Sequence, residues 1–82
     1  MPAPTSPTVD DMVGLFRRIL ETDGVGPDTD FFDQGGDSLL ATRVLSAVAR
    51  QYDVELTIVQ LIDAASPAAL AALVELIKSA PE

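Results

Sequence analysis

Residues 30–40 read Asp30-Phe31-Phe32-Asp33-Gln34-Gly35-Gly36-Asp37-Ser38-Leu39-Leu40. Two adjacent phenylalanines are costly to leave in water, so we expect at least one of them to plug the core. Gly35 and Gly36 allow a backbone turn that residues with a Cβ atom resist. Asp37 is a good N-cap residue, and Ser38 then opens a helix. The stretch therefore predicts a core-anchored loop that delivers an exposed serine hydroxyl to the first turn of a helix.

On either side of this stretch, apolar residues recur at spacings of three and four, which is typical of amphipathic helices, and no alternating strand pattern competes with them. The predicted helices run from Val9 to Glu21, from Ser38 to Tyr52, from Ile58 to Ala64, and from Pro67 until Pro81 ends the last one. A long connection joins the first two helices, and loops of that length are usually functional or disordered. The sequence thus predicts an all-α fold, a small bundle of three main helices plus one short helix.

Local signatures mark the helix starts. Thr8 and Thr57 each have an acid or an amide three residues later, as in a capping box, and Ser66 with Pro67 forms an N-cap and N1 pair. The side chains predicted to face the core are Val9, Met12, Val13, Phe16, Ile19 and Leu20 in the first helix, Ala41, Val44, Leu45, Val48 and Tyr52 in the second, Ile58, Leu61 and Ile62 in the third, and Leu70, Leu73, Val74 and Ile77 in the last.

Composition excludes several classes of chemistry. The chain has 82 residues, enough for one domain, and it has neither cysteine nor histidine. Ser–His and Cys–His catalysis are excluded, as are disulfides and metal sites built from histidine or thiolate. Asp28, Asp30 and Asp33 lack the alternate spacing and the distal glutamate of an EF-hand loop. We expect no catalytic residue, no metal site and no enzyme activity.

Charge narrows the choice of partners. Five basic against 13 acidic residues give a net charge of −8. Such a surface repels nucleic acid and anionic membranes, and basic protein surfaces are its natural partners.

No apolar run approaches the roughly 20 residues of a membrane span, and residues 1–7 lack the basic and apolar parts of a signal peptide. We expect a cytoplasmic monomer with a disordered arm at 1–7, a domain at 8–79 and a tail at 80–82.

The quoted stretch resembles the signature of peptidyl carrier proteins, the thiolation domains of nonribosomal peptide synthesis. The likeness rests on Asp30-Phe31-Phe32 followed after two residues by Gly35-Gly36-Asp37-Ser38-Leu39, and the order of helices extends it from about Val9 to Ile77. The resemblance implies that a phosphopantetheinyl transferase moves the 4′-phosphopantetheine arm of coenzyme A onto the Ser38 hydroxyl. An aminoacyl or related acyl group is then held as a thioester on the thiol of the arm.

The resemblance also implies a set of partner enzymes. An adenylating enzyme loads the cargo, and condensation, tailoring or thioesterase enzymes act on it during the synthesis of antibiotics or related natural products. The transferase must supply the base and the Mg²⁺, so the carrier needs no catalytic group of its own. A flexible tether raises the effective concentration of the cargo at successive active sites. Gln34 departs from the family, in which leucine is more common before the double glycine.

Residues near the modified serine are candidate contacts for these enzymes. Asp37 is expected to cap the helix and to contact the transferase or its metal. Leu39 lies nearly opposite the apolar face of its helix, beside Thr42 and Arg43, and would form a small apolar contact next to the arm. Val59 lies off the inward face of the third helix in the same way. We expect Leu39 and Val59 to flank a shared docking patch.

Two alternatives stay open. An acyl carrier protein of polyketide or fatty-acid type would share Ser38 and hold another cargo. Fatty-acid carriers have an acidic second helix, whereas residues 38–50 include Arg43 and Arg50 and no acid, which favours the peptidyl type. An unmodified helical interaction domain is the second alternative. The sequence does not decide whether the chain is a freestanding carrier or a domain of a synthetase.

Overall fold

A computed structural model describes residues 7–79, and residues 1–6 and 80–82 lie outside the description. The helices are α1 (Val9–Leu20), α2 (Ser38–Tyr52), α3 (Ile58–Asp63) and α4 (Pro67–Ser79). All regular structure in the described range is helical, which confirms the predicted all-α bundle of three main helices and one short helix. The expected arm at 1–7 and tail at 80–82, with Pro81 as the helix end, fall outside that range, except for Pro7, which is buried.

Side-chain caps explain where the helices start. Thr8 Oγ1 accepts from the Asp11 N–H, and the Asp11 carboxylate accepts from the Thr8 N–H, both at 3.0 Å. Thr57 and Gln60 make the same reciprocal pair before α3, at 3.1 and 2.8 Å. Ser66 Oγ accepts a backbone N–H three residues later at 3.2 Å. Each cap satisfies a donor that the first helical turn leaves free, so these three predicted starts are confirmed.

Two helices end one residue earlier than predicted. Glu21 takes the left-handed conformation, with φ 55° and ψ 48°, and its N–H donates to the Arg17 carbonyl. Ala64 has φ −122° and ψ 60°, which also departs from helical geometry. Both residues therefore act as C-caps and not as the last turn, because the chain changes direction at each of them.

The core forms where α1 contacts α2 and α4, and α3 joins it through α2. Its most buried side chains are Met12, Leu15, Phe16, Val25, Phe31, Ala41, Val44, Val48, Val54, Leu61, Leu70, Ala71 and Val74. Leu15 and Ala47 are buried although the prediction left them off the inward faces, while Leu45 and Tyr52 are only partly buried. A helix that touches two neighbours buries a wider face than a single apolar stripe, which accounts for the added positions.

Three isoleucines predicted to face inward are partly exposed. Ile58 and Ile62 of α3 keep 37% and 55% of their surface, and Ile77 of α4 keeps 36%. A helix of six residues turns less than twice, so only one position, Leu61, reaches the core. Ile77 lies in the last turn of α4, beyond Val74, the last buried residue of that helix. The prediction was wrong at these three positions.

Two basic side chains bind backbone carbonyls within the fold. Arg17 Nη2 donates to the Val25 carbonyl at 3.2 Å and ties α1 to the long loop. Lys78 Nζ donates to the carbonyl of Tyr52, the last residue of α2, at 2.8 Å. A cation is favourable at the negative end of a helix, so Lys78 links α4 to the C-terminus of α2. Both contacts are structural.

Candidate functional site

The loop before α2 is anchored through its phenylalanines. Phe31 is fully buried, and its N–H donates to the Ala65 carbonyl at 2.8 Å. Its ring packs edge-on against Phe16, with the centroids 5.1 Å apart and the planes at 72°. The half-buried Phe32 packs edge-on against Phe31 at 5.3 Å. The prediction that at least one phenylalanine plugs the core is confirmed.

A tight turn closes around the two phenylalanines. The Asp30 carboxylate accepts the N–H groups of Phe32 and Asp33, at 2.8 and 3.1 Å. The Gly36 N–H donates to the Phe31 carbonyl at 3.0 Å, and the Gly35 N–H donates to the Phe32 carbonyl at 3.2 Å. The turn is thus held by the core and by its own backbone, which fixes the point where α2 begins.

The two glycines are required for different reasons. Gly35 has a φ of +97°, a conformation that residues with a side chain rarely adopt. A Cβ atom on Gly36 would overlap the Phe31 ring and lie 2.7 Å from the Phe31 carbonyl oxygen. Gly36 therefore permits close packing of the backbone against the anchor, while Gly35 permits the turn.

Ser38 is the first residue of α2 and is exposed. Asp37 precedes it in an extended conformation, and its carboxylate accepts from the Leu40 N–H at 2.9 Å. The Ser38 carbonyl accepts from Thr42 Oγ1 at 2.9 Å, in addition to its place in the helix. The predicted capping role of Asp37 is confirmed, and its contact with a transferase stays a prediction. The first turn of α2 and the anchored loop before it thus hold the Ser38 hydroxyl in contact with solvent.

Replacement of the cap gives a stability prediction. Asp37→Ala is expected to destabilise the fold by about 1 kcal/mol, because the Leu40 N–H loses its acceptor. For a domain of this size, the melting temperature falls by roughly 4–8 °C. Asp37→Asn keeps an acceptor oxygen and should melt close to the parent chain in a circular dichroism scan. An equal loss in both variants would contradict the hydrogen-bonding role and assign the effect to the charge.

Three of the predicted partner contacts lie together beside a groove. Leu39 is 64% exposed, and it lines a groove between α1 and α2 together with Thr42 and Arg43. These residues share the outward face of α2, just after Ser38. The sequence identified this side of the groove, but gave no sign of the α1 side chains that complete it.

Val59 lies on a different element from the other predicted contacts. It is 62% exposed on α3 and is not among the groove residues. Ile58 and Ile62 flank it and are also exposed, so α3 presents an apolar face that the sequence reading missed. The sequence could have indicated this face, because four of the six residues of α3 are apolar and so short a helix cannot bury them all. The shared patch of Leu39 and Val59 stays a prediction.

Two other features concern metals and membranes. Within residues 7–79, acidic side chains do not gather in threes at distances suited to a metal ion. In the same part of the chain, the helices are all too short or too polar to cross a bilayer.

The structure is an all-helical bundle with an exposed serine at the start of α2. The loop before this serine is anchored in the core and carries Phe31-Phe32 and Gly35-Gly36. These features define a carrier domain with an attachment site for a prosthetic group. The family described as "Phosphopantetheine attachment site" matches residues 7–74, and the chain belongs to this family. The cofactor of the family is 4′-phosphopantetheine, as the sequence resemblance implied.

Solved structures and a curated relative place the chain among peptidyl carriers. A peptidyl carrier protein in complex with the phosphopantetheine transferase Sfp and coenzyme A has a TM-score of 0.79 and 33% identity, covering 92% of this chain and 97% of the carrier. An active-site mutant of a peptidyl carrier protein gives 0.82 and 30%, covering 99% and 93%. The probable non-canonical nonribosomal peptide synthetase CymA of Salinispora arenicola is 41% identical over 68 residues, 83% of this chain. The chain spans only 1–3% of the length of the synthetases it matches.

Proposed function

We propose that Ser38 receives the 4′-phosphopantetheine arm and that the chain then carries an aminoacyl or related acyl group in nonribosomal peptide or related biosynthesis. The observation that carries this proposal is the exposed position of Ser38 at the first residue of α2. The Ser38 Oγ atom would form a phosphoester bond with the phosphorus of the arm, and its proton would pass to a base of the transferase. The bond between that phosphorus and the bridging oxygen of the coenzyme A diphosphate breaks, and the nucleotide part leaves with the other two phosphates.

The residues around Ser38 fit the group. The surface is open there, and the first turn of a helix favours a nearby phosphate. Asp37 works against tight phosphate binding, because its carboxylate already accepts the Leu40 N–H and carries a negative charge. The arm is therefore held by the covalent bond and stays free to swing. When attached, it supplies the thiol on which the cargo forms a thioester.

We propose that the chain itself is not an enzyme and acts in the cytoplasm as a monomer. Its sequence contains neither histidine nor cysteine, so Ser38 has no common partner for activation. The transferase would supply the base and the metal. The carrier contributes position, because a tethered cargo reaches a high effective concentration at each partner's active site.

The proposed partners are the transferase, an adenylating enzyme, and condensation, tailoring or thioesterase enzymes. Asp37 is the proposed contact for the transferase or its metal ion. Asp37→Asn separates this role from capping, since the amide keeps the acceptor and removes the charge. A slower arm transfer to a variant of unchanged stability would support the contact, and an unchanged rate would rule it out.

The proposal is tested by loading the chain. After incubation with coenzyme A and a transferase of broad specificity, the intact mass should rise by one phosphopantetheine group. The loaded chain is then offered to a panel of adenylating enzymes with their amino acids, and to an acyltransferase with malonyl coenzyme A. An aminoacyl thioester supports the peptidyl type, and a malonyl thioester alone supports the polyketide type. A chain that gains no mass is an unmodified interaction domain.

Docking on the exposed apolar side chains gives a further prediction. Val59→Asp and Leu39→Asp are each expected to lower aminoacylation by a matched adenylating enzyme about tenfold, because a charge replaces apolar surface that the partner would bury. Both residues are exposed, so the melting temperature should hold. Ala72→Asp, which adds the same charge on an exposed position of α4, is the control. If only one of the two variants is affected, the two residues do not share a patch.

A further inference from the structure

The groove between α1 and α2 has an apolar floor. It measures about 380 Å³, and its apolar side chains are Leu15, Ile19, Leu39 and Ala47. Leu15 and Ala47 are buried where the two helices meet, whereas Leu39 is largely exposed at one end. The apolar surface that the groove leaves exposed is therefore mainly that of Leu39, with part of the half-buried Ile19.

Basic side chains line this groove and set it apart from the rest of the surface. Arg18 of α1 and Arg43 and Arg50 of α2 belong to its walls, which makes three of the five basic residues of the chain. Among residues 7–79, Glu21 is the only acid in the lining. The other two basic residues bind backbone carbonyls elsewhere. In a chain with a net charge of −8, the positive charge is therefore concentrated here.

The spacing of the arginines along the groove suits a helical partner better than a small anion as the occupant. Arg43 and Arg50 are seven residues apart, so they lie on one face of α2 about 10 Å from each other. From Leu39 to Arg50 the α2 wall is about 16 Å long, roughly three turns. Acids seven residues apart on a second helix would meet Arg43 and Arg50, while Arg18 faces them from the opposite wall.

We infer that this groove binds an acidic amphipathic helix of a partner protein. Apolar side chains of that helix lie on the floor, and carboxylates along its edges pair with the three arginines. The rest of the surface is acidic and attracts basic partners. The groove is lined by arginines and would therefore favour an acidic partner instead. The apolar face of α3 offers no such charge, so the groove and not α3 would favour an acidic partner.

The test uses two designed peptides and the unmodified 82-residue chain. The first is an end-blocked helix of about 15 residues with leucines on one face and glutamates along both edges at i and i+7. The second replaces every glutamate by lysine. Titration into the ¹⁵N-labelled chain should shift the amides of Leu39, Thr42, Arg43 and Arg50 with the glutamate peptide only. Binding should weaken severalfold between about 50 and 500 mM salt.

Matched variants separate charge pairing from general attraction. Arg43→Gln and Arg50→Gln should each weaken binding about threefold, and Glu21→Gln should strengthen it about twofold. Lys78→Gln removes the same unit of charge outside the groove and should change the affinity less than twofold. Shifts confined to α3, equal binding of the lysine peptide, or insensitivity to the two arginine variants would overturn the inference. Vesicles of phosphatidylglycerol that shift the same amides more strongly than the peptide would also overturn it, in favour of a membrane surface.

Helix binding in the groove does not depend on the arm. The groove lining does not include Ser38, so the unmodified chain is a valid sample. Failure of the peptide titration would leave arm attachment untouched, and failure of arm attachment would leave the peptide result intact. The two proposals are therefore tested separately.

Discussion

Ser38→Ala is expected to abolish attachment of the phosphopantetheine arm. The Oγ atom is the nucleophile of the proposed phosphoester bond, and alanine offers no atom to replace it. Because Ser38 is exposed in the first turn of α2, its loss should change the free energy of unfolding by no more than about 0.5 kcal/mol. Intact mass after incubation with coenzyme A and the transferase should show the parent chain modified and the variant unmodified.

Another serine of the same helix provides the control. Ser46 is also exposed on α2, eight residues further along, and Ser46→Ala should take up the arm as the parent chain does. Circular dichroism should give the same helical content for both variants. If Ser38→Ala still gains the mass of the arm, or if digestion places the arm on a peptide without Ser38, the assignment is wrong.

The sequence predicted what depends on local interactions. The caps at Thr8, Thr57 and Ser66 act within three residues, so the local sequence indicates where α1, α3 and α4 begin. The loop before α2 could be predicted as well, because two adjacent phenylalanines are costly to expose and two glycines permit a tight turn. The structure shows Phe31 buried, as expected. The exposure of Ser38 follows directly from that geometry.

Positions that depend on packing between helices were not predictable in the same way. Periodicity indicates which residues of a helix share a face, but not how many neighbours that face meets. Leu15 and Ala47 are buried because α1 packs against α2 as well as α4, and the core extends to that contact. Ile58 and Ile62 are exposed for the opposite reason, since α3 is too short to bury a full stripe. In both cases the neighbours of a helix, and not the helix itself, decide which side chains are buried.

The net charge does not indicate where on the surface the basic side chains gather. The total of −8 predicts attraction to basic partners, and the sequence places Arg18 and Arg50 more than thirty residues apart. Folding brings them to opposite walls of one groove with Arg43. The local field at that groove therefore differs in sign from the average over the molecule, which composition alone could not indicate.

Gly36→Ala is expected to destabilise the fold by about 2–3 kcal/mol and to lower the melting temperature by roughly 10–20 °C. The added Cβ would overlap the Phe31 ring and crowd the Phe31 carbonyl oxygen. Neither neighbour can move freely, because the ring is fully buried and the Phe31 N–H is bound to Ala65. A thermal scan by circular dichroism measures the effect.

Gly14→Ala is the matched control for the same change in size. A Cβ atom at Gly14 would have no neighbour within 4 Å, and the residue lies in the exposed middle of α1. Alanine there should stabilise the fold by about 0.5–1 kcal/mol, because glycine is the poorer helix former. The two variants should therefore shift the melting temperature in opposite directions.

The same pair of variants tests how the loop serves the serine. Gly36 sets the distance between the Phe31 anchor and the start of α2, so a shift at Gly36 displaces the Ser38 hydroxyl. At a temperature where both variants are fully folded, Gly36→Ala should accept the arm more slowly than Gly14→Ala. Parent-like stability of Gly36→Ala would mean that Phe31 yields to the added carbon. An equal rate of arm transfer despite lost stability would mean that the anchor holds the fold without positioning the hydroxyl.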